Sequence, residues 1–250
     1  MEDIRKKEKI KACIAIFVII LAILTTCMII LKYQIEGESN MPFVLSKILV
    51  VSYAEGMQKE GAEEDWNISI SQNNDIYFSI EKNEENNEES KIESISIENI
   101  QIVKIPEIGE VKVFMPNSSD GRLFTNTEDT IVEENKLSYK GAIKSDNKTL
   151  EIGNQGGTIV IRFSNTNIGE YIPTNDEEIK HDGSLISKLE LQTEQIEFEV
   201  KFDLVIKLKN KSYMDTISIK LPCSNDLIEE GTSSLEITDG FVFKRIHKKF

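Results

Sequence analysis

Residues 151–165, EIGNQGGTIVIRFSN, place two adjacent glycines, Gly156 and Gly157, before a run of alternating apolar residues. A phosphate-binding loop needs the pattern GxxxxGK[ST] or GxGxxG between a strand and a helix. The segment GNQGGT has neither pattern, and the residues from Thr158 to Phe163 alternate as a strand does. We therefore predict a tight hairpin turn between two strands, in which glycine tolerates positive φ, and we expect no bound nucleotide.

The same period-two alternation recurs through most of the chain after residue 42. It predicts a strand most clearly at 196–208, where seven apolar residues alternate with polar ones, and further strands at 95–102, 111–115 and 217–221. The apolar run 43–53 is a further strand candidate, although its first half is equally compatible with a helix, and Leu235 and Ile237 lead to the final apolar segment GFVFKRI. Because Ile95 and Ile97 fall out of step with Ile100 and Ile102, we predict a β-bulge at Glu98-Asn99.

Two further segments carry turn or helix signals. The run DWNISISQNNDIYFSIEK, residues 65–82, places Trp66, Ile68 and Ile70 before a polar Asn73-Asn74-Asp75 and apolar alternation after it, which predicts a hairpin. Residues 116–148 are polar and irregular, with a short helix expected at 126–135.

About ten to twelve strand candidates separated by turn signals, without repeated βα units, favour a mainly β fold. We predict an antiparallel β-sandwich of Ig-like or jelly-roll-like type over residues 43–250. The sequence leaves open whether this region is one sandwich or two that divide near 116–148.

Residues 12–31, ACIAIFVIILAILTTCMIIL, have no charge, proline or glycine and match the length of a transmembrane helix. Its apolar positions include Ala12, Ile16, Ile20, Leu24, Ile29 and Leu31. A basic cluster precedes it, made of Arg5, Lys6, Lys7, Lys9 and Lys11. Because positive residues stay on the cytoplasmic side, we expect residues 1–11 inside the cell, a tether at 32–42 and the β region outside.

The sequence disfavours three alternatives to an uncleaved signal anchor. A cleaved signal peptide would carry small residues in an A-x-A arrangement, which this segment lacks. A lipoprotein would have its cysteine at the end of the apolar run, whereas four apolar residues follow Cys27. A type IV pilin would have a glycine before the helix and a glutamate early in it, and neither is present.

The charge of the chain excludes one class of partner. The net charge is −14, and residues 33–250 carry 23 basic and 40 acidic side chains, a net −17. Such a region repels nucleic-acid phosphates, so we expect no DNA or RNA partner. The abundance of isoleucine, lysine, asparagine and glutamate is typical of a low-GC bacterium.

Candidate catalytic and binding residues are few. His181 lies beside Asp182 and near Ser184, which could form a nucleophilic arrangement. The acidic residues of the same loop, with His181, could bind a divalent cation: Asp176, Glu177, Glu178 and Asp182. No fixed-spacing calcium or zinc motif accompanies them, so a solvated loop is the simpler interpretation and we expect no metal or other cofactor.

These observations favour a membrane-anchored protein that acts by binding, as an accessory component of a bacterial envelope, secretion or surface-appendage assembly. The alternatives are an anchored envelope hydrolase acting on polysaccharide or peptide, and a carbohydrate- or calcium-dependent adhesive module. Since loops on a rigid scaffold usually carry recognition, the polar region 116–135 and the loop 165–184 are the first candidates for a binding surface.

Overall fold

The computed structural model describes residues 2–38, 40–58, 67–117, 121–173, 180 and 182–246. It consists of one long N-terminal helix followed by a mainly β region. The helical segments are α1 (Glu2–Glu36), α2 (Thr193–Ile196) and α3 (Asp226–Glu230), with 3-10 helices at Glu128–Thr130 and Gly183–Leu189. The strands are β1 (Phe43–Gln58), β2 (Ile68–Lys82), β3 (Ile92–Lys104), β4 (Glu110–Phe114), β5 (Leu137–Gly141), β6 (Glu151–Ile152), β7 (Gly157–Tyr171), β8 (Phe198–Leu208), β9 (Ser212–Leu221), β10 (Thr232–Ile237) and β11 (Lys244–Ile246).

The stretch Cys13–Lys32 of α1 has a mean hydropathy of 3.1 and is long and apolar enough to cross a membrane. None of it is buried against the rest of the chain. A helix of this kind serves either as a membrane anchor or as a signal sequence. Because α1 continues to Glu36, the helix takes up part of the segment 32–42 that the sequence predicts as a tether.

The strands form two sheets. The first sheet has the order β10-β1-β2-β7-β4, and the second has the order β11-β9-β8-β3-β5-β6. Strands that precede and strands that follow residues 116–148 occur in both sheets. All pairs are antiparallel except β5 and β6, which pair in parallel through Lys140 and Gly141 opposite Glu151 and Ile152. The prediction of a purely antiparallel arrangement is wrong at this one short pair.

The two sheets share one apolar core. The Phe202 ring on β8 meets Phe78 of β2 edge-to-face at 5.6 Å and stacks with Phe163 of β7 at 6.3 Å between ring centroids. A second, smaller cluster covers the other end of the first sheet, where Ile68 and Ile70 pack against side chains of the short helices. The long strands of the first sheet are therefore buried by the second sheet at one end and by short helices at the other.

Several sequence-based predictions are confirmed and others are wrong. The predicted strand 196–208 is confirmed as β8 over Phe198–Leu208, while Ile196 ends α2. The predicted bulge at Glu98-Asn99 is confirmed as a register shift with Asn99 at φ 53°. The prediction of a short helix at 126–135 is wrong, and only Glu128–Thr130 forms a 3-10 turn. The end of this turn and the residues that follow bond to β4 and to the residue after it, since Val132 N–H donates to Val113 O and Thr130 O accepts from Met115 N–H. The hairpin at Asn73-Asn74-Asp75 is also wrong, since β2 runs through these residues, and Trp66 lies outside the described residues.

The glycine pair does form a tight turn, in which the Gly156 N–H donates to Gly153 O at 3.1 Å. The prediction that this turn joins two paired strands of a hairpin is wrong, because β6 belongs to the second sheet and β7 to the first. The turn therefore carries the chain across the core from one sheet to the other. Gly156 has φ +117°, and a Cβ there would lie 2.5 Å from the Ile80 carbonyl oxygen.

We expect Gly156→Ala to lower the free energy of unfolding by about 3 kcal/mol, since it adds backbone strain and a contact with an immovable carbonyl. Gly121→Ala is the matched control, because Gly121 also has positive φ, at +74°, but has nothing within 4 Å of the added Cβ. It should cost about 1 kcal/mol. Denaturant unfolding of the full chain in neutral detergent, followed by circular dichroism, measures both, and equal losses would contradict the close approach.

Candidate functional site

The polar run Gln72-Asn73-Asn74-Asp75 lies in the middle of β2 and is buried along its whole length. Its backbone pairs on one side with β1 and on the other with β7, so these residues form strand and not turn. Side chains alternate along a strand, which directs Gln72 and Asn74 towards the core and Asn73 and Asp75 to the opposite face of the sheet. Each face therefore needs its own polar partners.

On the face away from the core, Asp75 forms an ion pair with Arg162 of β7, directly opposite it in register. Arg162 Nε donates to Asp75 Oδ1 at 2.6 Å, and Nη2 donates to Oδ2 at 2.9 Å. This bidentate geometry is the strongest arrangement of a guanidinium with a carboxylate. Arg162 and Asp75 each expose only 5% of their surface to solvent, so the pair is shielded from water.

Three more side chains complete the surroundings of the guanidinium. Nη2 also donates to the Tyr53 hydroxyl, and Nη1 donates to Asn126 Oδ1 at 2.9 Å. The Phe124 ring lies over the guanidinium, 4.1 Å from Cζ to the ring centroid, which is within cation–π distance. Arg162 is thus held from β1, β2 and the segment 121–131 together.

Burial dominates the electrostatics of this cluster. It raises the pKa of the Asp75 carboxyl, and the Arg162 guanidinium opposes that shift by hydrogen bonding and charge. Burial, with the Asp75 carboxylate as the next cause, raises the pKa of Tyr53 to about 12. Tyr53 is therefore a neutral phenol at physiological pH. The cluster supplies hydrogen bonds and an ion pair of fixed geometry.

The ion pair fixes the segment 121–131 over the outer face of the first sheet. Phe124 packs with Phe114 and Val160 in a small apolar cluster. Asn126, at φ 54°, provides the oxygen that Arg162 binds. At the end of the segment, the Met115 N–H donates to Thr130 O at 2.8 Å. Apolar packing and the guanidinium therefore hold this segment against the sheet.

A cleft of about 220 Å³ lies beside the fixed segment, and we name it the outer cleft. Asn73 connects it to the buried network, since Asn73 Nδ2 donates to Glu55 Oε2 at 2.7 Å. Eight of its eleven lining residues are polar or charged, and the lining comes from β1, β2, β4, β7 and the segment 121–131: Glu55, Met57, Ser69, Ser71, Lys112, Phe114, Asn126, Glu128, Ile131, Thr166 and Asn167. Its volume is below the range of about 300–1,000 Å³ of typical small-molecule sites.

The two regions singled out in the sequence as candidate binding loops contribute to this cleft. Asn126 and Glu128 come from 116–135, and Thr166 and Asn167 come from 165–184. The prediction of a loop is wrong for residues 165–171, which belong to β7. The structure brings these four residues together across one opening. The buried residues behind them, Asp75 and Arg162, were missed by the sequence analysis. One signal was available, because Arg162 is one of four arginines and interrupts the apolar run TIVIRF.

The candidate catalytic residues are placed elsewhere. Asp182 begins the 3-10 helix Gly183–Leu189 and accepts hydrogen bonds from the Ser184 backbone N–H at 3.0 Å and from the Ser184 hydroxyl. These bonds lower the pKa of Asp182, as expected for a helix-capping carboxylate. His181 and the acidic residues Asp176, Glu177 and Glu178 lie outside the described residues. Within the described ranges, no group of three or more His, Cys, Asp or Glu is placed to hold a metal ion.

A second polar group lies on the core side of β2. The Ser52 hydroxyl donates to Asn74 Oδ1 at 2.7 Å, and Asn74 Nδ2 donates to the Phe163 carbonyl at 3.0 Å. The half-buried Cys223 thiol lies 3.7 Å from the Ser52 hydroxyl and 3.5 Å from that of Ser233. This group separates the main apolar core from the smaller cluster beneath the short helices.

Comparison with protein-family models, with curated proteins and with solved structures found no match to this chain.

We expect Asp75→Asn to lower the free energy of unfolding by about 3–5 kcal/mol, because it leaves the Arg162 charge buried without a counter-ion. The double variant Asp75→Leu with Arg162→Met removes both charges and should lose clearly less than the single variant. Glu236→Gln is the control, since it breaks the exposed pair with Lys47 and should cost at most about 1 kcal/mol.

Denaturant unfolding of the full chain in neutral detergent measures these differences. Hydrogen exchange adds a local readout, because amides of 121–131 should lose protection in Asp75→Asn and keep it in Glu236→Gln. A double variant as unstable as Asp75→Asn would contradict the assignment of the loss to an uncompensated charge.

Proposed function

We propose that the protein is a single-pass membrane protein that keeps its N-terminus in the cytoplasm and presents its β region outside the cell. In this proposal residues 43–250 form one β-sandwich of Ig-like or jelly-roll-like type that acts by binding. The protein would serve as an accessory component of a bacterial envelope, secretion or surface-appendage assembly.

The observation that carries the proposal is the exposure of α1. The apolar side chains of its stretch Cys13–Lys32 keep half or more of their surface exposed, for example Phe17 at 65% and Met28 at 71%. An unbroken apolar helix of 20 residues needs an apolar environment, and its length matches the roughly 30 Å core of a bilayer. The basic cluster before it favours a cytoplasmic N-terminus.

The outer cleft supports binding as the mode of action. It has polar side chains from five parts of the chain, held by a buried ion pair that fixes their geometry. Glu55 and Glu128 place two carboxylates and Lys112 one ammonium group at its surface. A preformed polar cleft of this size recognises a protruding polar group of a partner at little cost in conformational entropy.

Topology is tested by cysteine labelling of the full chain in which Cys13, Cys27 and Cys223 are replaced by serine. Asp146→Cys, at an exposed position, should react with a membrane-impermeant maleimide on intact protoplasts. Lys6→Cys should react only after lysis. The opposite pattern would contradict the orientation, and a mature chain shortened by the length of α1 would contradict anchoring.

Binding by the outer cleft is tested with a photo-cross-linking amino acid at Ser71, which lines the cleft, and at Thr216, an exposed position on the second sheet. Irradiation of living cells should give a dominant adduct from position 71 and none from position 216. Glu55→Gln should reduce that adduct about fivefold, as expected for the loss of one charge-assisted hydrogen bond. The same adducts from both positions would contradict a specific role of the cleft.

A further inference from the structure

A cavity lies at the end of the β region where α1 joins it. The chain after α1 is fixed there, since the Glu38 N–H donates to Phe243 O at 2.8 Å and Asn86 Nδ2 donates to Asn40 O at 2.9 Å. Asn83, at the end of β2, similarly donates to Met41 O at 2.9 Å. The cavity begins beside this turn, with Lys82 in its wall, and has a volume of about 610 Å³.

The net charge of the residues that line this cavity is positive, opposite in sign to the net charge of the whole chain. Five lysines and three glutamates line it, in a protein of net charge −14. The lysines are Lys82, Lys91, Lys144, Lys209 and Lys211. The acidic residues of the neighbouring turn, Glu84 and Glu85, are exposed and do not line the cavity. We name this feature the basic cavity.

Two of the three glutamates are already neutralised by lysines. Lys211 contacts Glu88 at 2.6 Å, and Lys144 contacts Glu93 at 2.7 Å. These hydrogen bonds lower the pKa of both carboxyls, so both stay ionised as counter-ions of those lysines. In contrast, Lys82 and Lys91 are exposed and form no ion pair with the described residues. Their charges are available to an anionic ligand.

The remaining walls suit a ligand that is polar at one end and apolar at the other. Ser90, Gln155 and Asn210 supply hydrogen-bonding groups, while Ile92 and Leu208 are apolar. Ile143, also in the lining, keeps 73% of its surface exposed. The cavity therefore has one exposed aliphatic side chain close to its lysines.

We propose that the basic cavity binds the phosphodiester headgroup of an anionic phospholipid in the membrane that α1 crosses. This inference rests on the proposed anchoring, which brings the cavity to the bilayer surface. Lys82 and Lys91 contact the phosphate oxygens, the polar side chains contact the glycerol hydroxyls, and Ile143 enters the interface. The lipid then holds the β region in one orientation relative to the membrane.

The test uses the full chain in neutral detergent and measures lipid binding by native mass spectrometry. The probes are dioctanoyl phosphatidylglycerol and dioctanoyl phosphatidylcholine, which differ in headgroup charge. We expect one equivalent of phosphatidylglycerol, bound at least about tenfold more tightly than phosphatidylcholine. Added salt should weaken this preference, because exposed charges are screened.

The variant pair that tests the site is Lys82→Gln with Lys91→Gln, and its matched control is Lys180→Gln with Lys201→Gln. Both remove two exposed lysine charges, but only the first pair lies in the basic cavity. The typical attraction of a lysine to an anionic membrane surface predicts a loss of about 30-fold for the first pair and none for the second. Equal unfolding temperatures would show that both variants retain the fold.

Three results would overturn the inference: equal affinity for the two lipids, equal losses in the two variants, or displacement of phosphatidylglycerol by an equal concentration of inorganic phosphate. The last would assign the cavity to a free anion. Binding in detergent does not depend on which side of the membrane the β region occupies. A failure here is therefore distinct from a failure of the labelling experiment, which tests the topology alone.

Discussion

The structure depends on the burial of the polar run in the middle of β2, whose backbone pairs with β1 and β7 while both of its faces are covered, so that water does not reach its side chains. The polar run from Gln72 to Asp75 must therefore find partners within the fold. It finds Arg162 on one face and Ser52 on the other. A buried charge that is missing its partner destabilises a fold strongly, so this strand can pair in one register only. The same ion pair fixes the segment that borders the outer cleft.

Much of the fold could be predicted from local patterns. Alternation identified β8 because its polar residues face solvent and its apolar residues face the core, and the out-of-step isoleucines of β3 identified its bulge. The continuity of β2 could not be predicted in this way. Asn73, Asn74 and Asp75 favour turns when considered locally, and only pairing with β7, nearly ninety positions later, makes them a strand.

Part of the lining of the outer cleft was predictable from the sequence, but the buried ion pair behind it was not. The polar segment around 126 was recognisable as a surface loop and does line the outer cleft, whereas Thr166 and Asn167, which were predicted as loop, line it from β7. The ion pair behind them joins residues far apart in the chain, and no local spacing relates Asp75 to Arg162. Likewise, the glycine turn was recognisable from its residues, whereas its path between the two sheets follows from packing alone. Distant pairing is the common cause of both omissions.

The length of β1 sets a limit on how far the protein can reach. This strand starts next to the turn that follows α1, and Glu55 lies twelve residues beyond Phe43. At about 3.3 Å per residue, the outer cleft lies at most about 40 Å from the start of the strand. On the anchored chain that we propose, the rigid sheet would act as a spacer of fixed length. The outer cleft would then select partners by their distance from the membrane as well as by their chemistry.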